Sequence, residues 1–350
     1  MISKNADRPY AKLSNFRIRP VTEADLEGIY QLALEAKAGL TSLPKDHDLL
    51  RKRIALAQTS FAKGKLKQGC LFLFVLEDIE TGAIAGTCAL QTRKGDRIPD
   101  DVFCYGEKTM YSKSLDLTRK APFLKRQVSR SRPTEMMTLY LSNTYRHKGL
   151  GRFLSFSRFL FMAVHKTLIG HRVIADFRGY SQADGYCPFW QHLGFPFVGL
   201  DFSHAELLAS VDHSFMRELL PVKRVYLDLA HEDVRRYLGQ LHPNTVPAYQ
   251  LLLRQGFQPC QTYDLFDGGP RVSAKRWQIR SIRETKQYPA DTMGAGKRPV
   301  AVMMVSNTKR SEFRATVAPV RIQKGRVLIG AEALAALGIA PGEEVAVCPL

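Results

Sequence analysis

The chain has 350 residues, 45% of them apolar and 24% charged, a balance that excludes a mostly disordered protein and a length that allows two domains, because one core rarely grows beyond roughly 250 to 300 residues. Its six cysteines (Cys70, Cys88, Cys104, Cys187, Cys260, Cys348) stand singly, which argues for buried thiols and against a zinc site, so no metal is expected. A net charge of +18 points to anionic partners.

A polar tail occupies residues 1–15, and its opening Met1-Ile2-Ser3-Lys4-Asn5 lacks the apolar run of a secretory signal; a reducing, cytoplasmic location is expected. Phe16-Arg17-Ile18-Arg19-Pro20 alternates as a strand, and Thr22-Glu23-Ala24-Asp25 has the form of a capping box that opens a helix. A second helix is predicted over residues 48–61, then a strand over 70–76 rich in Phe and Val, the turn Glu80-Thr81-Gly82 and a return strand over 84–90. The stretch that follows reads as loop and ends in a basic segment at 125–132, closed by Pro133.

Residues 136–141 form a buried-strand run, and Arg146-His147-Lys148-Gly149-Leu150-Gly151 leads into an apolar helix. That helix is interrupted by Arg158 and His165 and falls short of the roughly 20 apolar residues of a membrane span, so it belongs to the core. A strand over 173–177 precedes Pro188-Phe189-Trp190-Gln191-His192-Leu193-Gly194-Phe195, and a similar phrase ends at Gly256-Phe257; two copies are too few to establish a repeat. Beyond Asp267-Gly268-Gly269-Pro270 come a basic stretch, a Gly294-Ala295-Gly296 spacer, strand patterns at 300–305, 313–320, 326–329 and 344–347, and a helix at 331–337. This reads as a small β-rich C-terminal domain with no catalytic signature.

Two segments hold most of the excess charge. Residues 107–133 and 271–298 each carry eight basic side chains against two acidic ones. They are solvated surface or a binding face for phosphates, and they lack the interleaved aromatics that stacking on nucleic-acid bases demands.

Arg146-x-x-Gly149-x-Gly151 stands between an apolar strand and an apolar helix. Glycines let a backbone turn approach a pyrophosphate, and a helix N-terminus offers unpaired N–H donors. The alternative is a tight strand-to-helix connection. In this context the pattern resembles the acetyl-CoA-binding motif of the GNAT superfamily.

The phrases Gly39-Leu40-Thr41-Ser42-Leu43-Pro44, Gly185-Tyr186-Cys187-Pro188-Phe189-Trp190-Gln191, Gly239-Gln240-Leu241-His242-Pro243 and Phe266-Asp267-Gly268-Gly269-Pro270 sharpen this to a resemblance to the arginine N-succinyltransferases, from about Phe16 onward. The resemblance implies an α+β fold with a GNAT-like mixed central sheet flanked by helices over residues 16–270, and a β-rich domain over 271–350. It implies succinyl transfer from succinyl-CoA, a co-substrate and not a permanently bound cofactor, to the α-amine of arginine or ornithine. It also implies His242 as proton donor and Leu139 as a succinyl-CoA contact; no membrane partner is expected, since the apolar helix is too short and interrupted to span a bilayer. Assembly into homo- or hetero-oligomers is a family habit. The chain departs from the family pattern in its basic 125–132 segment and at Ala183-Asp184, which keeps another amine acceptor open, as well as a non-catalytic anion or nucleic-acid binder.

Acyl transfer needs a neutral amine in line with the thioester, a donor for the oxyanion and a proton for the thiolate. His242 by itself is also readable as a loop residue before a helix, and Leu139 as a core leucine whose backbone amide would polarise the carbonyl. Arg146, Lys148, Gly149 and Gly151 are the candidate donor-binding residues. Arg178 is the candidate for a carboxylate, and Asp176, Asp201 and Asp267 are the candidates for the acceptor's cation. The general base is unassigned.

Overall fold

A computed structural model describes residues 11–36, 40–146, 149–294 and 296–350. In β1 (Phe16–Pro20) the alternation buries Phe16 and Ile18 and lays Arg17 and Arg19 against Glu77 of β2 (Leu71–Asp78). The capping box is present: Asp25 accepts from the Thr22 backbone N–H at 2.7 Å just before α1 (Leu26–Glu35). α2 (His47–Lys63) starts at Asp46, whose carboxylate accepts from the Leu49 N–H at 2.8 Å, and ends at Gly64, where a φ of 76° suits glycine. β2 turns back into β3 (Ile84–Gln91) as the Glu80-Thr81-Gly82 signal predicts.

The loop expected before Pro133 is a correction. β4 (Asp100–Ser112) and β5 (Leu117–Ser129) form a long hairpin, paired without a break from Asp100↔Ser129 to Ser112↔Leu117. Only its inner end, with Phe103, Ala121 and Leu124, reaches a core; Lys108, Lys113, Arg119 and Lys120 are exposed. A ribbon held by backbone pairing with water on both faces carries no apolar alternation, and so it reads as loop.

β6 (Thr134–Leu141), α3 (Leu150–Val164) and β7 (Arg172–Asp176) follow. A π-helical turn at Trp190–Gly194 then leads through α4 (Phe195–Val198), α5 (Phe202–Val211), α6 (Ser214–Leu219), β8 (Val225–Tyr226), α7 (Glu232–Tyr237) and α8 (Val246–Arg254) to β9 (Gln258–Tyr263), β10 (Pro270–Lys275) and α9 (Arg280–Glu284). The strand order is β1-β2-β3-β6-β7-β10-β9-β4-β5-β8, with β6 and β7 parallel and the other pairs antiparallel. β10 begins where the second domain was expected and pairs with β7, so it belongs to the central sheet.

Period-two alternation sorts the sheet's side chains onto two faces. Phe72, Phe74, Cys88, Leu90, Met136 and Val173 pack against α3, while Leu73, Val75 and Ala89 pack against α1 and α2. Phe161 of α3 meets Phe72, Phe74 and Phe313 at ring separations of 4.8, 5.2 and 5.2 Å. Such pairs contribute roughly 0.5 to 1.5 kcal/mol each beyond burial, and Phe313 thereby joins the C-terminal strands to the main core.

Those strands are β11 (Lys286–Thr292), β12 (Ala301–Asn307), β13 (Ala315–Gln323), β14 (Arg326–Ile329) and, after α10 (Ala331–Leu337), β15 (Glu344–Pro349). The pairings β12–β15, β15–β11, β11–β14, β14–β13 and β13–β12 close a five-stranded barrel around Val305, Val320, Val327, Ile329 and Val345. β13 also pairs with β1 at Ile18↔Ala315. No helix among the described residues is long and apolar enough to cross a membrane.

Candidate active site

The central sheet opens between β6 and β7. These strands pair only at Thr134↔Val173 and Glu135↔Ile174. On the other side of β6 the register with β3 jumps from Ala89↔Met137 to Thr87↔Tyr140. One extra residue on β6 makes a bulge, and Thr138 sits in it at a φ of 53°, a conformation rare for a β-branched residue. Two contacts hold it: Thr138 Oγ1 donates to the Ser42 carbonyl at 3.3 Å, and the guanidinium of Arg158, buried in α3, donates to the Met137 carbonyl at 3.4 Å. Bulge and splay turn part of the β6 backbone, Leu139 included, away from strand pairing.

The predicted glycine turn lies at the same end of β6. Gly149 precedes α3 with a φ of 93°, a position that requires glycine. Gly151 is different, because a Cβ there would meet only Leu141 Cδ2 at 3.8 Å, an ordinary contact. The fold does not demand that glycine, and a closely approaching ligand would. Arg146 is exposed; its Nε donates to the Leu141 carbonyl at 3.4 Å and its guanidinium lies 6.0 Å from the Tyr140 ring centroid. Lys148 lies outside the described residues. A cavity of about 240 Å³ between α3, α8 and α9 is lined by Arg152, Arg254 and Arg280 among others.

His242 reaches the opening through β7. Phe177 donates its N–H to Pro270 on the β10 side at 3.1 Å, so by alternation the Arg178 carbonyl points to the β6 side, where it accepts the His242 N–H at 3.0 Å. A bridge between Gly179 and Leu241 extends the pairing. His242 Nδ1 accepts the Asn244 N–H at 3.2 Å, so the residue caps the turn at Pro243–Thr245 that leads into α8. With Nδ1 accepting, the neutral imidazole carries its proton on Nε2.

Asp267 fixes this junction. Its two oxygens accept the N–H groups of Gly179 at 2.7 Å and Gly269 at 2.8 Å. A Cβ on Gly179 or Gly269 would lie within 2.2 Å of the Asp267 carbonyl or 2.0 Å of the Phe177 carbonyl, so both positions need glycine. Burial and the neighbouring Asp264 push the Asp267 carboxyl up to about 7 against these hydrogen bonds. Beside it, Arg178 gives Nη2 to Ser181 Oγ at 2.8 Å while its enclosed Nε has no hydrogen-bond partner among the described residues.

Asp176 belongs to an internal network. Lys94 Nζ lies 2.6 Å from Asp176 and 2.8 Å from Glu135, and Arg271 forks onto Asp176 (2.5 and 2.8 Å) and Asp100 (2.8 and 2.9 Å). Burial pushes the Asp176 carboxyl up, but Lys94 and Arg271 overcome it and hold the group well below the usual carboxylate range. Burial raises Glu135 in spite of Lys94. The cation Asp176 was expected to meet in the acceptor is supplied by the protein. Asp201 is exposed and caps α5, accepting from the His204 N–H at 3.0 Å; the structure gives it no link to the opening.

Lys94, Asp100, Glu135 and Arg271 were not singled out from sequence, although a carboxylate inside the apolar run at 134–137 is a signal, since unpaired acids are almost never buried. Thr138 carries no such mark. The described residues also gather His192, His231 and Asp233, with the two rings stacked 3.7 Å apart. Asp233 lies 3.5 Å from His192 Nε2 and 3.6 Å from His231 Nδ1, and the cluster stands at the surface, with His192 and Asp233 half-buried and His231 exposed.

A mixed sheet opened by a bulge, a glycine turn at a helix N-terminus and a histidine paired to the end of β7 suit acyl transfer, and the relatives give the class: an N-acyltransferase. The family model for the arginine N-succinyltransferase beta subunit matches residues 16–281, and that for its C-terminal domain matches residues 295–349. The chain belongs to the arginine N-succinyltransferase beta subunit family. It is 34% identical over 330 residues to the arginine N-succinyltransferases of Salmonella paratyphi B (strain ATCC BAA-1250 / SPB7) and Salmonella newport (strain SL254), covering 94% of this chain and 96% of each relative. The structure of arginine/ornithine succinyltransferase subunit AI from Pseudomonas aeruginosa superposes with a TM-score of 0.87 at 29% identity, covering 96% of this chain and 99% of that one.

Proposed function

We propose that the protein transfers the succinyl group of succinyl-CoA to the α-amine of arginine or ornithine in arginine catabolism, on a GNAT-like sheet, with His242 as the proton donor. The observation that supports this reading is the Arg178–His242 backbone bond, which holds the His242 main chain on the β6 side of β7, the side where the sheet is open. The neutral amine attacks the thioester carbonyl, forming the C–N bond, while backbone N–H near Leu139 stabilises the oxyanion. As the C–S bond breaks, the thiolate takes the proton on His242 Nε2 while the proton lost by the attacking amine is relayed back to the ring, so that the thiol leaves and the imidazole ends neutral.

The Arg146–Gly151 turn is read as the pyrophosphate cradle, with Arg152, Arg254 and Arg280 near the donor's other phosphates. Arg178, adjacent to the histidine, is assigned the acceptor's carboxylate. Half-buried Asp264 and buried Asp267, near the end of β7, are the acids beside Arg178 that a cationic acceptor could face. Six free cysteines suit the reducing cytoplasm.

The test is a thiol-release assay of acyl-CoA donors against free amino acids. Succinyl-CoA should outperform acetyl-CoA with arginine or ornithine as acceptor. Equal or reversed rates would remove the succinyl assignment and leave a GNAT transferase of another specificity.

A further inference from the structure

We propose that Arg53 and the cavity it lines hold the free carboxylate of the acyl donor, and so select a dicarboxylic mono-thioester over a plain alkanoyl one. This rests on the acyl-transfer reading above and adds to it a residue and a subsite. Arg53 stands on α2, where Leu50, Ile54 and Ala57 are buried against the sheet. Its Nη2 is fully enclosed and has no hydrogen-bond partner among the described residues. Burial lowers the guanidinium's pKa and only the charge of Glu135 opposes it. Arg53 as a whole is half-buried and an arginine stays protonated regardless, so the fold carries a partly desolvated cation whose enclosed Nη2 has no hydrogen-bonded counter-ion.

The same side chain lines a cavity of about 200 Å³ with Thr41, Pro44, Leu49, Lys52 and Leu56. This is several times the roughly 30 Å³ share of a water molecule, enough for a CH₂–CH₂–COO⁻ arm and too little for CoA. Pro44, Leu49 and Leu56 offer apolar walls to the methylenes. Exposed Lys52 adds a second positive charge, and a guanidinium can grip a carboxylate with two parallel N–H bonds.

Two features tie the cavity to the reacting thioester. Thr138 at the bulge donates to the Ser42 carbonyl, so the loop bearing Thr41 and Pro44 rests on the strand distortion that is proposed to receive the donor carbonyl. Glu135, whose charge acts on Arg53, lies three residues before Thr138 on β6, about 10 Å at the rise of a strand. Cavity, loop and Arg53 all sit on the α1–α2 side of the sheet, opposite α3. A donor entering by the α3 turn would push its acyl arm through the opening toward them.

The experiment measures kcat/KM with succinyl-CoA and with butyryl-CoA, its near-isostere without the carboxylate, for the parent, Arg53→Met and Arg53→Lys, using arginine and then agmatine as acceptor. The parent should prefer succinyl-CoA. In Arg53→Met the succinyl-to-butyryl ratio should collapse about 10²-fold, the usual scale for removing one partner of a buried charge pair, while the thermal transition stays or rises because a half-buried, incompletely paired cation is gone. Should Arg53→Met fail to fold, Arg53→Lys carries the test with about a tenfold fall in the same ratio. An unchanged ratio in a folded variant overturns the Arg53 assignment and leaves succinyl transfer standing. A loss with both donors, seen with arginine but not agmatine, overturns it in favour of the acceptor's carboxylate. A parent that does not distinguish the two donors removes the succinyl reading itself.

Discussion

Two sets of buried charges lie on this sheet, and they are treated in opposite ways. In the β6–β7–β10 network, Lys94 and Arg271 each meet two or more carboxylates at hydrogen-bond distance. At Arg53, Arg178 and Asp267 the pairing is incomplete: one guanidinium has an unmatched Nη2, the next an unmatched Nε, and the Asp267 carboxyl is hydrogen-bonded by backbone N–H groups, with only the nearby charge of Arg178 acting on it. Paired charges describe what the fold uses to hold itself together. Incompletely paired ones are where the proposed reading places the charges of the donor and the acceptor. Burying a charge without a partner is costly, and binding a ligand of opposite sign recovers that cost.

The comparison breaks most visibly in the network. Arg271→Met leaves Asp100, Glu135 and Asp176 with Lys94 alone, and should destabilise the protein by roughly 3 to 5 kcal/mol, the usual consequence of removing one side of a buried ion pair. Thermal denaturation checks it. Adding Asp100→Asn should recover part of the loss, since one uncompensated charge goes with it. A variant that melts within a degree of the parent would show that the network contributes nothing to the fold.

A smaller effect sharpens the other half. The Asp267 carboxyl is raised from an ordinary 3.8 to about 7 by burial and by Asp264. Its contribution to stability is therefore full below pH about 4, where both states are protonated, and is lost as pH climbs to about 7, because the unfolded chain ionises first. Asp176, held low by its cations, works the other way: its contribution is present above pH about 4 and is lost in acid. Asp267→Asn should flatten the decline in melting temperature between pH 4 and 7 and should cost more at pH 5 than at pH 8. An unchanged slope would mean that Asp267 ionises in the folded state like an exposed acid.

Much of this was legible from residues near one another in the chain. β1, the Thr22–Asp25 box, α2, the β2–β3 hairpin and the glycine turn before α3 all follow from local pattern, and local pattern is sensitive to capping and alternation. The β4–β5 ribbon escaped because its outer half touches no core. The ion network escaped for a different reason: Lys94, Asp100, Glu135, Asp176 and Arg271 are brought together only by the sheet order, which places β7 between β6 and β10. For His242 the motif supplied the residue and the structure supplied its placement, since the partner that sets it at the opening is a backbone carbonyl 64 positions earlier.

The account depends on that placement, and the most direct measurement is the steady-state kinetics of His242→Ala with succinyl-CoA and arginine. If the imidazole delivers its Nε2 proton to the departing thiolate, kcat falls by roughly 10²- to 10⁴-fold while KM for the donor stays within a few-fold, because the interaction exists only in the transition state. His242→Gln should restore little, since an amide of similar size gives up no proton. A folded His242→Ala protein with kcat within a few-fold of the parent would contradict the account and reduce His242 to the cap of the turn before α8.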